Sequence, residues 1–149
     1  MDPLSITASS LALLSTVAKS SFAITDFVRR YRAAAGDLGD VKEELSELRT
    51  TLELLQSIIG DSEESALPQS LKTHVVSIIK RCEDSLKRLD GALGKHKGTF
   101  TAARWVLDGK REVTDLRHNL EAYRGTLSVL LETATLYVVP PRKRNRARS

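Results

Sequence analysis

Apolar residues recur along this chain at alternating spacings of three and four, in four runs separated by polar or glycine-containing stretches. Such spacing puts side chains on one face of a helix. The first run opens at Asp2-Pro3, where Asp2 has the chemistry of an N-cap and Pro3 tolerates the first helical position. It carries two apolar lines, one of Leu4, Ala8, Leu11, Leu14, Ala18 and Phe22 and another of Ile6, Leu13, Val17, Ile24, Phe27 and Tyr31. The remaining positions are mostly hydroxyls, among them Ser5, Ser9, Ser10, Ser15, Thr16, Ser20 and Ser21, and no charge occurs from Pro3 to Ala18. Something apolar must cover this helix.

At 1.5 Å per residue, the stretch from Pro3 to Thr25 extends roughly 35 Å, against roughly 30 Å of bilayer hydrocarbon, so length permits a membrane span. Ser and Thr interrupt it too often for a continuous apolar span, and the core helix of a soluble bundle is the favoured reading. A secretory signal fits poorly: the segment begins with an acid and lacks a positive n-region and an obvious cleavage site.

Ala33-Ala34-Ala35-Gly36 ends the first pattern, and Asp37 or Asp40 is the expected cap of the second helix. Its face is Leu38, Val41, Leu45, Leu48, Leu52, Leu55 and Ile59, with Gly60 as the stop and Lys42, Glu43, Glu44, Glu47 and Arg49 as a solvated opposite face. After the acidic connection Asp61 to Pro68, where Glu63-Glu64 reads as solvation, Pro68 opens a third helix lined by Leu71, Val75, Ile78, Cys82, Leu86, Leu89 and Leu93. Gly91, Gly94 and Gly98 predict a turn near Leu93 to Thr99. The last helix then runs from about Phe100 along Val106, Val113, Leu116, Leu120, Tyr123, Leu127, Leu130, Ala134 and Tyr137. Gly109 marks a bend or a close approach on that stripe, and Pro140 ends the helix by Val138. The prediction is all-α: an antiparallel up-down four-helix bundle with long N- and C-terminal helices, residues 1–138, followed by a flexible tail, residues 139–149. A dimeric or trimeric coiled coil competes, but the Gly and Pro between the runs favour hairpin turns over one rod.

Composition agrees with one helical domain: 149 residues, 41% hydrophobic and only 5% aromatic. The net charge of +4 changes meaning once located, because Arg142, Lys143, Arg144, Arg146 and Arg148 all follow Pro140-Pro141 and removing these five leaves −1 on the rest. This basic tail suits anionic lipid, an import receptor or plain solvation. A near-neutral body makes nucleic acid an improbable partner despite a pI near 9.4. Lys87, Arg88, Lys95, Lys97, Arg104, Lys110 and Arg111 are expected to gather near the third turn and to meet anionic lipid or protein. A single cysteine, Cys82, forms no internal disulfide and suits a reducing, cytoplasmic setting, with plasma-membrane recruitment and nuclear import as further options.

Catalytic chemistry has no visible support. His74, His96 and His118 lie far apart outside any zinc spacing, and neither a phosphate-binding Gly-x-x-x-x-Gly-Lys loop nor a Gly-x-Ser-x-Gly elbow occurs. No catalytic, metal or cofactor residue is assigned, and no small-molecule substrate is expected.

The opening Met1-Asp2-Pro3-Leu4-Ser5-Ile6-Thr7-Ala8-Ser9 with Leu11-Ala12-Leu13-Leu14, the Leu45 to Leu55 stretch, and Trp105-Val106-Leu107 followed by Lys110-Arg111-Glu112-Val113, Leu116, Leu120, Tyr123 and Thr126-Leu127 resemble the N-terminal helical domains of fungal STAND (NLR-like) proteins, the HeLo-like group. The resemblance covers essentially residues 1–138 and lies in the order and spacing of helical patterns. It implies a signalling or effector domain of an immune or regulated-cell-death system that self-associates or binds another helical domain. Its first helix, through Leu4, Leu11, Leu14, Val17 and Phe22, would meet a membrane when released. No NTPase module or repeats follow in this sequence, a departure from the usual arrangement. A soluble adaptor with no membrane activity is the alternative.

Overall fold

A computed structural model of the chain describes residues 5–60 and 64–138. It holds four long helices, α1 (Ile6–Arg30), α2 (Ala35–Ile58), α3 (Gln69–His96) and α4 (Lys110–Val138), and no strand among the described residues. The all-α bundle expected from periodicity is the fold observed. Every residue of the two central stripes, Leu38 to Ile59 on α2 and Leu71 to Leu93 on α3, is buried, and Cys82 points inward as its place on the stripe requires.

Three contacts fix the directions. The Ile6 N–H at the start of α1 donates to the Glu64 carboxylate beyond the end of α2. The Gly98 N–H beyond α3 donates to Tyr31 Oη beyond α1, at 2.8 Å. The indole N–H of Trp105, just ahead of α4, donates to Asp37 Oδ2 in the first turn of α2, at 3.0 Å. Chain direction therefore alternates as expected, yet neighbours around the bundle are not sequential. α1 packs on α2 and α3, and α4 packs on the same two. α1 and α3 thus run side by side in parallel, as do α2 and α4, because residues 59–68 are long enough to cross the end of the bundle, whereas a short hairpin would pair α2 with α3.

Helix ends depart from the sequence reading where a distant partner intervenes. Ser5 caps α1, its Oγ accepting from the Ala8 N–H at 3.2 Å; the expected cap, Asp2, lies outside the described residues. α1 stops at Arg30, and the Arg32–Ala34 3₁₀ turn leads into α2, which takes in Gly36. Asp37 is inside that helix and caps nothing, because the Trp105 indole takes its carboxylate. α3 runs through Gly91 and Gly94 to His96, and only Gly98, at φ 85°, adopts the left-handed backbone that makes glycine the right residue for the turn.

A helical turn, Ala102–Arg104, leads into a π-helical turn, Trp105–Gly109, in which the Lys110 N–H bonds back to the Trp105 carbonyl. The extra residue in that turn shifts the apolar register by one position. Trp105, Gly109 and Val113 consequently face the core, and Val106, which the spacing places on the stripe, is exposed. The close approach at Gly109 comes from its own turn: a Cβ there would collide with the Trp105 ring carbons. Around the indole lie Phe27 at 5.7 Å, Phe100 at 5.9 Å and His96 edge-on at 5.4 Å, so one aromatic cluster ties α1, α3 and the start of α4 together.

Candidate functional site

The two apolar lines of α1 meet different surroundings. Ile6, Leu13, Val17, Ile24 and Phe27 are buried with Ser10 and Ser20 interleaved, giving the four-three spacing of a packed seam. The other line remains outside: Leu11 is 57% exposed, Phe22 is 78% exposed, and Ala8 ahead of them and Ser15 and Ala18 between them are exposed as well. Val17 therefore does not share a face with Leu11 and Phe22. The five residues expected to act together divide into a core position, Val17, a half-buried one, Leu14, and two solvent-facing ones, while Leu4 lies outside the described residues. Leu11 and Phe22 need no release of α1 to reach a partner.

Beside this face, between α1 and α2, is an open groove of about 730 Å³. Leu14, Val17, Ala18 and Phe22 form its apolar wall, and Lys42, Ser46, Arg49 and Glu53 of α2 its polar wall. The Lys42 ammonium donates to Thr25 Oγ1 at 2.7 Å at one end, and Arg49 pairs with Glu53 at 2.7 Å. The first of these is the link to α1, and it is solvent-exposed and holds the helix weakly; the second lies within α2.

Glu64 is a firmer hold. Read from sequence as solvation, it is 8% exposed and accepts from the Ile6 N–H, where a carboxylate also meets the positive end of the helix dipole. Against this, the hydroxyls of Ser10 and Ser20 on the inner seam are buried without a hydrogen-bond partner, as is Thr7 Oγ1. Each orphaned hydroxyl weakens the seam that keeps α1 in place.

Other polar residues resolve into structural roles. Glu44, expected on a solvated face, is 7% exposed and receives the Arg124 guanidinium at 2.5 Å, while the same arginine reaches Glu47 at 2.9 Å. That hydrogen bond to Glu44 raises the Arg124 pKa above its ordinary value. Burial pushes the Cys82 thiol up to about 12, with Glu44 and Glu83 adding repulsion, which suits an inert core side chain. His96 is buried against Trp105, His74 and His118 are exposed elsewhere, and no group of three metal-binding side chains converges among the described residues. Lys87, Arg88, Lys95, Lys97, Arg104, Lys110 and Arg111 are all exposed, and Lys95 and Arg111 share one shallow depression with Leu107. The basic tail residues Arg142, Lys143, Arg144, Arg146 and Arg148 lie outside the described residues.

Taken together, the fold and this face define a helical-bundle domain with an unpartnered apolar helix surface. Comparison with known families agrees with a fungal-type helical domain. The chain belongs to the family described as the pigment biosynthesis cluster protein PigL N-terminal domain, which matches residues 1–144. No curated protein and no solved structure matches the chain.

Proposed function

We propose that this domain is a signalling module that self-associates through the outer face of α1, in a fungal NLR-like (STAND) immune or regulated-cell-death system, with transfer of α1 into a bilayer as its effector step. The observation that carries this reading is the uncharged outer line of α1 left open to solvent at Leu11 and Phe22. Covering a Leu or Phe side chain fully contributes about 1.5 to 3 kcal/mol, so a second copy or a bilayer gains several kcal/mol at this face. α1 is also the one helix among the described residues long and apolar enough, by length and composition, to cross a membrane, a test that core helices also pass. The orphaned Ser10 and Ser20 hydroxyls lower the cost of withdrawing it. The family's description as an N-terminal domain accords with a unit acting ahead of other modules. No catalytic step enters this reading.

The test uses the full chain. Sedimentation velocity across a concentration series and dye release from liposomes are compared between the native protein and Leu11→Glu/Phe22→Glu, with circular dichroism confirming the bundle. Loss of both assembly and leakage in the variant supports the proposal. Leakage and assembly equal to those of the native protein would show that α1 is not the effector.

A second reading, a soluble adaptor, is favoured by the groove between α1 and α2, whose apolar and polar walls suit an amphipathic partner helix. Assembly or partner capture without leakage at any lipid composition selects it.

A further inference from the structure

The end of the bundle that carries the α3–α4 connection has a surface of a different kind. Between Thr101 and Arg111 only Trp105 and Gly109 are buried, and the adjacent Val106 and Leu107 are 62% and 74% exposed. The π-turn is the cause: with the indole fixed by Asp37 and the aromatic cluster, the next two aliphatic side chains are turned out to solvent. The same contacts gather charge. The Tyr31–Gly98 hydrogen bond and the Phe27–Trp105 contact bring the end of α1 beside the α3–α4 connection, which puts Arg29, Arg32, Lys97, Arg104, Lys110 and Arg111 at one end, all exposed. None of the six has a carboxylate within ion-pair distance among the described residues. Asp108, Glu112 and Asp115 do lie beside Lys95, Leu107 and Arg111 in one shallow depression, Asp26 and Asp90 lie beside Lys97 in another, and Asp37 is committed to the indole. Arg30 and Lys95 stand at the same end, so its cations outnumber these carboxylates, while the chain apart from the tail carries −1.

We infer that this end docks the domain onto an anionic phospholipid surface, with Val106 and Leu107 entering the interface and the surrounding cations meeting the headgroups. A partner helix would need large apolar residues at three-four spacing, but of the neighbouring positions Arg104, Asp108, Lys110 and Arg111 are charged and Ala102 and Ala103 are small, so the exposed pair forms an apolar knuckle. A knuckle ringed by cations is the arrangement that binds a bilayer interface by apolar insertion and electrostatic attraction together. The inference goes beyond the role proposed for α1, whose outer face lies along the side of the bundle and stays free in end-on docking.

Co-sedimentation of the full chain with vesicles of phosphatidylcholine alone, and of phosphatidylcholine with phosphatidylserine, tests it. The native protein binds the anionic vesicles, and added salt weakens binding. Val106→Ser/Leu107→Ser and Arg104→Glu/Lys110→Glu each reduce that affinity by about tenfold or more, on the scale of about 1 kcal/mol for each cation at such a surface. Leu11→Glu/Phe22→Glu, which loses leakage under the α1 proposal, still co-sediments with anionic vesicles in a salt-weakened way, so failure of the α1 proposal and failure of this one are read separately. The variants of α1 and of the α3–α4 end replace exposed side chains, and circular dichroism checks the folding of every variant. Equal binding of the native protein to both vesicle types would overturn the inference. So would unchanged binding by the two end variants, or loss of binding only in Arg142→Glu/Arg144→Glu. Loss of binding to immobilised polyglutamate with vesicle binding intact would overturn it in favour of an acidic protein surface.

Discussion

α1 and α3 lie side by side in the same direction, and they differ on both faces. α3 turns Leu71, Val75, Ile78, Cys82, Leu86, Leu89 and Leu93 inward and Lys80, Arg81, Asp84, Lys87 and Arg88 outward. α1 turns Ile6, Leu13, Val17, Ile24 and Phe27 inward and keeps Leu11, Ala18 and Phe22 outward. Packing completes the first helix, since water suits its outer face; the second is apolar on both sides and is only half covered. Their inner faces differ as well. α3 buries a thiol that behaves as a small hydrophobe and, in its last turn, the His96 ring with both nitrogens unpartnered, whereas α1 buries two unpartnered hydroxyls along its seam. α1 is thus the helix with more to gain from a new surface.

The largest effect expected from this contrast lies within α1. Leu13→Ala removes a fully buried side chain and costs about 2 to 5 kcal/mol in urea unfolding, whereas Leu11→Ala, on the opposite face, costs about 0.5 kcal/mol or less. Equal costs would mean that the outer face is covered in the monomer, and the difference between α1 and α3 would collapse. Next comes Glu64→Ala, which removes the acceptor of the Ile6 N–H and lowers stability by about 1 to 2 kcal/mol. Hydrogen exchange locates that loss: the amides of the first turn of α1 exchange faster, and those at the start of α3 do not.

What the sequence made legible follows from how local each cause is. The stripes of α2 and α3 depend only on spacing, and all their residues are buried as read. Both apolar lines of α1 are legible in the spacing too, with Val17 on the line of Ile6 and Leu13; periodicity cannot tell which of the two faces is covered, and the grouping of Val17 with Leu11 and Phe22 comes from the family resemblance, not from the spacing. The polar assignments that changed each depend on a partner remote in the chain: Glu64 with Ile6, 58 positions apart, Asp37 with Trp105, 68 apart, and Glu44 with Arg124, 80 apart. A carboxylate looks alike in sequence whether it meets water or a buried donor. The displaced Val106 has a different origin, since one π-turn shifts every helical position before it, and the only local sign was a glycine where the stripe called for a side chain.

A smaller effect sharpens the comparison of inner faces. Ser20→Ala removes a hydroxyl buried without a partner and raises stability by about 1 kcal/mol, read from the urea midpoint, because its desolvation cost disappears. No change, or a loss, would show that the hydroxyl is satisfied in solution, and the seam of α1 would then carry no such penalty at this position.

The last comparison concerns Cys82, whose contribution at neutral pH is a matter of packing alone. Burial raises the thiol from 9.0 to about 12, so below 9.0 the folded and unfolded chains both carry the proton, and this group gives stability no pH dependence. Between 9.0 and about 12 the unfolded thiol ionises while the folded one keeps its proton; the native state then binds more protons, and its stability falls as pH rises. Cys82→Ala abolishes that part of the alkaline loss, which urea midpoints of the two proteins measured up through this range reveal. Labelling by a thiol reagent completes the comparison of the two helices. Cys82 reacts only as fast as the whole domain opens, whereas a thiol introduced as Ser10→Cys in the Cys82→Ala background reacts faster, through local opening of α1. If the two thiols react at one rate, α1 opens only with the rest of the bundle, and its withdrawal as a separate effector helix has no physical basis.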